Sequence, residues 1–402
     1  MQSVRFTTRV AVNHARELLA RDRARTQKFI AGIGAHGPMV HFEGRRRGHH
    51  HGGSSDPTGT TPTSSEPTGI DVTDSGVTYT AAVGVGNPPT SYTLLIDTGS
   101  SNTWVGADKK YVKTSSSKDT GGKVNVSYGS GSFSGVEYTD TVTISPELVI
   151  QDQSIGVATT AQGFNGVDGI LGIGPADLTA GTVSNADTVP TITDNLFTQG
   201  SISMESIGIS YEPSTGEDIA NGELAFGTVD TSKTTGDVTY VPITSSSPAS
   251  NYWGIDQSVT YGDSELLNSA GIVDTGTTLL LLATDAFQTY QEATGGKLDN
   301  ETGLLTITES QYNNLQPLVF NIGGTAFELS ANAQIWPRAL NSQIGGEEGK
   351  IYLVVADLGS PSGQGLDFIN GFVFLQRFYS IYDTTNSQVG LAPTPFTDAE
   401  TN

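Results

Sequence analysis

The stretch that decides the fold is TSYTLLIDTGSSNTW at residues 90–104, because NSAGIVDTGTTLLLL at residues 268–282 echoes it. Each copy places Asp-Thr-Gly directly after an apolar segment, LLI in the first and GIV in the second. Such a segment followed by a Gly-containing turn is typical of a buried strand that ends sharply. The echo therefore predicts two related β units, which carry Asp97 and Asp274 inward.

The tripeptide alone predicts little, because it occurs a third time at residues 119–121, inside SSSKDTGGK. The polar flanks of that copy predict a surface turn. Burying an ionisable carboxyl is costly unless the carboxyl is paired or hydrogen-bonded. A carboxylate that caps its own Thr-Gly turn would explain one buried copy. Two buried copies in matching contexts favour paired carboxyls at a functional site.

A second echo supports the doubling: ILG at residues 170–172 follows the first Asp, and ING at residues 369–371 follows the second. An apolar pair that ends on Gly lets one strand pass closely beneath another backbone. From about residue 70 the chain consists of short β-branched and aromatic segments between turn residues, such as VTYTAAVGVG, GELAFG and DVTYVPI. Helical patterns are confined there to ATDAFQTYQEATG and ESQYNNLQPL. The sequence thus predicts two all-β lobes that face each other across a cleft.

Composition excludes several chemistries for this body. The chain has no cysteine, and its histidines all lie within the first 51 residues: His14, His36, His41, His49, His50 and His51. Thiol nucleophiles, Ser-His pairs and His-ligated zinc are therefore not available to the lobes. Residues 52–402 carry 10 basic and 39 acidic side chains, a net charge of -29. A body this acidic repels nucleic acid and anionic membranes.

The first 51 residues, here called the leader, carry ten basic and three acidic side chains, a net charge of +7. Residues 18–20 lie in a stretch that could form a short amphipathic basic helix. The Ser/Thr/Pro/Gly-rich segment that follows, residues 52–70, is typical of a flexible, protease-accessible linker. A basic leader before an acidic body suggests a prosegment that docks electrostatically. MQSVRF contains no secretory signal, and no run of 18 apolar residues could span a bilayer.

The chain resembles the pepsin-like aspartic peptidases, most closely their cysteine-free fungal secreted members. The resemblance runs from about residue 70 to the C-terminus and rests on IDTGSSNTWVGA, YGSGSFSG, DGILGIG, GELAFG, YWGI, IVDTGTT and INGFVFLQRFYSIYD, in that order. It implies an all-β, bilobal pepsin-like fold with a pseudo-two-fold axis. The expected divisions are a prosegment and linker at 1–68, an N-terminal lobe with a flap at 69–240 and a C-terminal lobe at 241–402.

The resemblance also implies roles for individual residues. Asp97 and Asp274 would be the catalytic pair, here called the dyad. Ser100 and Thr277 would hydrogen-bond their outer oxygens. Trp104 would support the flap through its indole N–H. The remaining expected site residues are the dyad-supporting turn residues Thr98, Gly99, Thr275 and Gly276 and the flap residues Tyr128, Gly129 and Ser130. No metal or cofactor is implied. Phe372 departs from the pattern, because many members have Asp at that position.

The expected activity is endopeptidase cleavage at acidic pH, between bulky apolar residues, by a water activated between two carboxyls that share one proton. The expected partners are polypeptide substrates and the chain's own prosegment as intramolecular inhibitor, in a secreted or vacuolar monomer without nucleic-acid or membrane partners. Acid would weaken the attraction between leader and body and permit cleavage in the linker. The arginine run at residues 45–47 is a candidate contributor to this attraction. The prosegment residue that blocks the dyad is not identifiable from sequence.

Two other functions stay open at this stage. A β-rich glycosidase also uses two carboxyls, but the doubled Asp-Thr-Gly argues against it and three Trp do so weakly: Trp104, Trp253 and Trp336. A binding or inhibitor protein on the same fold usually has a damaged Asp-Thr-Gly, whereas both copies are intact here. Asn125 and Asn300 begin acceptor sequons for glycosylation.

Overall fold

The computed structural model describes residues 2–11, 15–32, 76–129, 131–213 and 219–401. The basic run at residues 45–47, the linker at residues 52–70 and the flap residue Ser130 lie outside the described residues. Predictions about them stay predictions.

Within the described ranges the α-helices are α1 (Ala15–Ala31), α2 (Ile192–Thr198), α3 (Thr284–Thr294), α4 (Glu309–Tyr312) and α5 (Phe372–Leu375). The strands are β1 (Gln2–Ala11), β2 (Gly76–Val85), β3 (Thr90–Asp97), β4 (Trp104–Val105), β5 (Lys118–Ser127), β6 (Ser132–Ser145), β7 (Leu148–Gln162), β8 (Gly169–Gly172), β9 (Ser206–Ser210), β10 (Ile219–Phe226), β11 (Thr239–Pro242), β12 (Gly254–Tyr261), β13 (Ser264–Val273), β14 (Leu280–Leu282), β15 (Lys297–Leu298), β16 (Leu305–Ile307), β17 (Leu318–Ile322), β18 (Thr325–Leu329), β19 (Ile351–Tyr352), β20 (Val355–Asp357), β21 (Phe368–Asn370), β22 (Phe378–Asp383) and β23 (Gln388–Pro393). None of the helices in the described ranges combines the length and apolarity that crossing a membrane requires.

The strands form two lobes joined by a shared sheet. A large sheet has the order β11-β23-β22-β9-β10-β1-β2-β3-β8-β4-β7-β6-β5, and a second sheet, β18-β17-β12-β13-β21-β14-β20, builds the C-terminal lobe. The shared part of the large sheet includes β22 and β23 from the end of the chain, which pair with each other and connect to β9 and β11. The predicted all-β architecture of two lobes is confirmed. The expected lobe boundary at residue 240 falls inside β11.

The echoed motifs occupy equivalent places in the two lobes. β3 pairs in parallel with β8, so that Asp97 lies opposite Gly172. β13 pairs in parallel with β21, and Val273, just before Asp274, lies opposite Asn370. A Cβ on Gly172 would lie 2.5 Å from the backbone carbon of Ser101, and Gly371 passes equally close to the backbone at residues 277–279. The close strand passage inferred from the apolar-Gly motifs is therefore present in both lobes.

The leader contributes two regular elements to this architecture. β1 lies between β10 and β2 and pairs antiparallel with both. The sequence analysis did not predict this strand, because its ladder depends on partners about 70 and 220 residues further along the chain. α1 is longer than the short helix considered for residues 18–20, and it buries one face: Ala15, Leu18, Leu19, Asp22, Thr26 and Phe29.

The third Asp-Thr-Gly lies at the surface, as its polar flanks predict. Asp119 is exposed, and its Oδ1 accepts the backbone N–H of Gly121 at 2.8 Å. Gly121 has a φ of 73°, which is the left-handed region that favours glycine, at an irregularity in the pairing of β5 with β6. This carboxyl caps its own turn and has no counterpart in the other lobe.

Candidate active site

The two Asp-Thr-Gly turns meet at the base of the cleft between the lobes. Asp97 is 3% exposed and Asp274 is 0% exposed. In each turn a hydroxyl three residues on donates to one carboxyl oxygen: Ser100 Oγ to Asp97 Oδ2 at 2.5 Å, and Thr277 Oγ1 to Asp274 Oδ2 at 2.6 Å. The backbone N–H of Gly99 donates to Asp97 Oδ1 at 3.0 Å, and that of Gly276 donates to Asp274 Oδ1 at 3.2 Å. These matching bonds orient two buried carboxyls toward each other.

The middle residue of each turn links the two lobes. The backbone N–H of Thr98 donates to Thr275 Oγ1 at 3.0 Å, and the backbone N–H of Thr275 donates to Thr98 Oγ1 at 2.9 Å. Thr275 Oγ1 in turn donates to the carbonyl of Ile96 at 3.2 Å. Because each threonine is held by the opposite lobe, the separation of the carboxyls is fixed by backbone positions. Such positioning is what paired carboxyl chemistry requires.

Arg25 of α1 lies directly on the carboxyl pair. Its Nε donates to Asp274 Oδ2 at 2.8 Å and its Nη2 to Asp274 Oδ1 at 3.0 Å. The same Nη2 forms a short ion pair with Asp97 Oδ1. The guanidinium also lies over the ring of Phe29, 4.9 Å from its centroid, and the ring of Phe29 packs against Tyr252 at 4.7 Å. A planar fork with several N–H donors suits two carboxylates at once.

Charge at this site is dominated by the Arg25 contact. Burial opposes ionisation of Asp274, but the adjacent guanidinium outweighs burial and holds the pKa of this carboxyl below its ordinary value. Burial likewise disfavours the charged form of Arg25, yet the two carboxylates raise its pKa overall. With α1 in place, the site is therefore an ion cluster in which Arg25 is charged and Asp274 is held ionised.

The flap lies over α1 from the N-terminal lobe. Trp104 Nε1 donates to the hydroxyl of Tyr128 at 2.9 Å, and the Tyr128 ring meets the ring of Phe164 edge-on at 5.3 Å. Burial raises the pKa of Tyr128, which stays a neutral phenol. A side chain at position 129 would collide with the backbone of Ala24 and Arg25, so Gly129 permits the close approach of α1.

A cavity of about 70 Å³ remains beside the dyad, between the flap and the N-terminal lobe. Six apolar or aromatic side chains line it: Tyr79, Leu95, Ile96, Tyr128, Phe164 and Ile170. Arg21 and Arg25 of α1 close its other side. The described residues contain no group of three His, Asp or Glu side chains placed to hold a metal ion.

Comparison with known proteins identifies this arrangement. The model of the eukaryotic aspartyl protease family matches residues 78–394, which include both Asp-Thr-Gly turns, the flap and both lobes. The chain belongs to this family. It is an aspartic-type endopeptidase, a hydrolase that acts on polypeptides.

Individual relatives place the protease within the family. It is 61% identical to polyporopepsin from Irpex lacteus over 337 residues, which cover 83% of this chain and 99% of that protein. It is 32% identical to gastricsin from Cavia porcellus over 78% of this chain and 79% of that protein. The crystal structure of the aspartic proteinase from Irpex lacteus superposes with a TM-score of 0.79 at 62% identity, covering 81% of this chain and 96% of that one. The resemblance to fungal pepsin-like enzymes is thereby confirmed.

The structure brings together most of the side chains expected at the site and separates others. The turn residues, Ser100, Thr277, Trp104, Tyr128 and Gly129 all lie at the dyad or the flap. The sequons lie apart: Asn125 is half-buried on β5, with its backbone N–H bonded to the carbonyl of Thr182, whereas Asn300 is exposed in the β15–β16 turn.

Sequence reasoning missed Arg25. The leader contains Arg21, Arg23 and Arg25 in the run ARDRAR, and no local pattern distinguishes the one that reaches the dyad. In the fold, Arg21 donates to Thr278 Oγ1 at 3.0 Å and Arg23 pairs with Asp357 at 3.0 Å, so three neighbouring arginines take three different partners. Arg21 and Arg25 are four residues apart and therefore lie on one helix face. This spacing could have narrowed the candidates for the dyad contact to these two arginines.

Proposed function

We propose that the chain is the latent form of an acid-acting endopeptidase, in which Asp97 and Asp274 carry out catalysis once α1 has left the cleft. One observation carries the proposal: two buried carboxyls from equivalent turns face each other, and each is held by a hydroxyl and a backbone N–H. A carboxyl that only caps its own turn, as the exposed Asp119 does, needs no equivalent carboxyl in the other lobe.

Without Arg25, two adjacent carboxyls cannot both ionise easily, so the pair shares one proton, as the carboxyl pair of pepsin does. The ionised member removes a proton from a water placed between the carboxyls. The protonated member donates to the oxygen of the scissile carbonyl, which becomes tetrahedral as the water oxygen attacks. The proton taken up then passes to the amide nitrogen as the C–N bond breaks and the amine leaves, while one hydroxyl of the tetrahedral carbon returns its proton to the other carboxyl. This route needs no covalent intermediate.

α1 acts as the intramolecular inhibitor in this proposal. It fills the cleft under the flap, and Arg25 neutralises the carboxyl pair so that no proton is shared. β1 holds the leader to the body through pairing with β10 and β2. Cleavage in the 52–70 linker, after α1 has moved away, would make the removal of the leader permanent.

The direction of the pH effect follows from Asp274. Its pKa is lowered while α1 is docked, so its contribution to docking is complete above the ordinary Asp pKa. That contribution is lost as the pH falls through the docked pKa. Acid therefore releases Arg25, and the same acid supplies the proton that the free dyad shares. The Arg25 contact thus favours latency at neutral pH and activity at acidic pH.

The apolar cavity beside the dyad supports a preference for bulky apolar residues next to the cut. It leaves room for an aromatic or branched side chain once Arg21 and Arg25 have gone. We further propose a secreted monomer, on the basis of the fungal relative and the acidic body, whose net charge of -29 over residues 52–402 disfavours self-association.

The test is cleavage of a denatured protein at acidic pH by the wild-type chain and by Asp97→Asn and Asp274→Asn, with and without pepstatin. Asp119→Asn is the matched control, because it alters the same tripeptide at the surface. The proposal predicts pepstatin-sensitive activity in the wild type and the control alone. Activity that survives either dyad substitution would refute the assignment.

A further inference from the structure

α1 makes a second buried polar contact with the body, about one helical turn before Arg25. Asp22 is 0% exposed, and its Oδ2 accepts the backbone N–H groups of Thr278 at 3.1 Å and Leu279 at 3.0 Å. Both donors thus converge on one oxygen, while Oδ1 has no hydrogen-bond partner among the described residues. The two donors lie just after Thr277, on the C-terminal lobe side of the dyad.

The charges nearest to Asp22 belong to its own helix and not to the body. The charged or titratable groups that face it are Arg21 and Arg25 on α1 itself and Tyr79 on β2. Arg21 Nε is 3.8 Å from Asp22 Oδ1, beyond hydrogen-bonding distance. The contact with the body is therefore a pair of N–H···O bonds to a single acceptor, and it does not depend on a salt bridge across the interface.

We propose that Asp22 is an acid-tolerant anchor, which keeps α1 on the C-terminal lobe after protonation of the dyad has broken the Arg25 contact. The proposal rests on the latent-protease function above. Asp22 is then a positioning residue of the leader. Two contacts hold α1 in the cleft, one that acid breaks and one that acid leaves intact.

Opposite pH dependences distinguish the two contacts. The Arg25 contact needs ionised carboxyls, so it weakens as the pH falls. For Asp22, burial outweighs the nearby arginines and the two N–H donors, and it raises the pKa from 3.8 to about 6. A raised pKa means that the docked state holds the proton more tightly, so this contribution to docking grows as the pH falls from about 6 toward 3.8. Below that range it stays constant.

A neutral carboxyl can hold the same position. Its carbonyl oxygen still accepts two N–H bonds, and the protonated form avoids burying a charge whose nearest cationic atom, Arg21 Nε, is 3.8 Å away. Acid therefore strengthens this contact while it releases Arg25. We expect the leader to depart at a lower pH than the Arg25 contact alone would set.

The test uses the full chain with Asp22→Ala and Asp22→Asn at a series of pH values between about 3 and 6.5, which spans the carboxyl titrations. Loss of the leader is followed by mass, and the midpoint pH of self-processing is measured. Asp22→Ala should raise the midpoint by about half a pH unit or more and speed processing at the wild-type midpoint about tenfold, as the loss of a buried acceptor predicts. Asp22→Asn should process like wild type, because its amide oxygen accepts both N–H groups.

An unchanged midpoint in Asp22→Ala, or an equal shift in Asp22→Asn, would overturn the proposal. Once the leader is removed, all three chains should cleave peptide equally, because the altered residue is gone. If Asp22→Ala does not fold, hydrogen exchange of Asp97→Asn, which cannot process itself, gives the answer: amides of Thr278 and Leu279 that exchange freely at about pH 4.5, near the ordinary carboxyl pKa, would overturn it. Failure of the catalytic proposal shows separately, as activity retained in Asp274→Asn.

Discussion

Replacing Arg25 by Met should release α1 from the cleft of the protease at neutral pH. Met keeps an unbranched apolar side chain beside Phe29 but removes all donors to Asp97 and Asp274. The Arg25 side chain is 12% exposed, so the contact lies largely out of water. Removing one partner from a buried ion pair costs about 3–5 kcal/mol. In Arg25→Met the dyad offsets part of that cost by sharing a proton. We therefore expect the docking free energy of α1 to weaken by about 2–3 kcal/mol.

That loss corresponds to a roughly 30- to 150-fold weaker docking of α1, at 1.4 kcal/mol for each factor of ten. The assay is hydrolysis of a quenched fluorescent peptide at pH values between about 4 and 7, around and above the carboxyl range, in parallel with the mass of the chain. Arg25→Met should process itself at a higher pH than wild type. Arg25→Lys, which keeps the charge without the fork, should fall between them.

Arg16→Ala is the matched control, because Arg16 lies on the same helix and is exposed near Gly303, away from the dyad. It should leave the processing pH unchanged. An Arg25→Met chain that stays latent over the same pH range as wild type would refute the reasoning, since the dyad contact would then contribute nothing to the docking of α1.

Three further predictions concern the flap, the stability of the N-terminal lobe and the surface. Tyr128→Phe removes the acceptor for Trp104 Nε1 but keeps the ring on Phe164, so kcat/KM of the processed enzyme should fall about tenfold with little change in Tm; an unchanged kcat/KM would contradict this. Glu137 is 3% exposed, and burial raises its pKa from 4.5 to about 7, so its contribution to stability is present below pH 4.5 and lost as the pH rises through 7. Glu137→Gln should therefore stabilise the folded chain by about 1–3 kcal/mol at pH 8 and much less at pH 4, measured by denaturant unfolding, and equal effects at both pH values would contradict the account. In a secretory host, glycopeptide mass analysis should find glycan on the exposed Asn300 and little on the half-buried Asn125, and the reverse pattern would contradict the accessibility argument.

The dyad was predictable from sequence because burial of a carboxyl leaves a local signature. Asp97 and Asp274 each follow a run of apolar residues that are largely buried, and each has a hydroxyl three residues on. The polar flanks of Asp119 separated the surface copy from the two buried copies. Gly172 and Gly371 were predictable for a related reason, since a close backbone passage excludes any side chain.

The leader was less predictable because its structure depends on distant partners. β1 forms only against β10 and β2, which lie about 220 and 70 residues further along the chain. The choice of Arg25 for the dyad, and of Asp22 for Thr278 and Leu279, follows from how α1 is placed in the cleft. Phe372, which departs from the family pattern, packs against Tyr79 with 4.5 Å between the ring centroids. No sequence pattern indicates this contact.

The most direct test of the account follows activity and mass together after a wild-type sample is brought from neutral pH to about pH 4, near the ordinary carboxyl pKa. The account predicts no pepstatin-sensitive activity at first, and then activity that rises in step with loss of the N-terminal residues up to the 52–72 region. Full activity at neutral pH in a chain that still carries its leader would contradict it, because Arg25 could not then be holding the dyad closed.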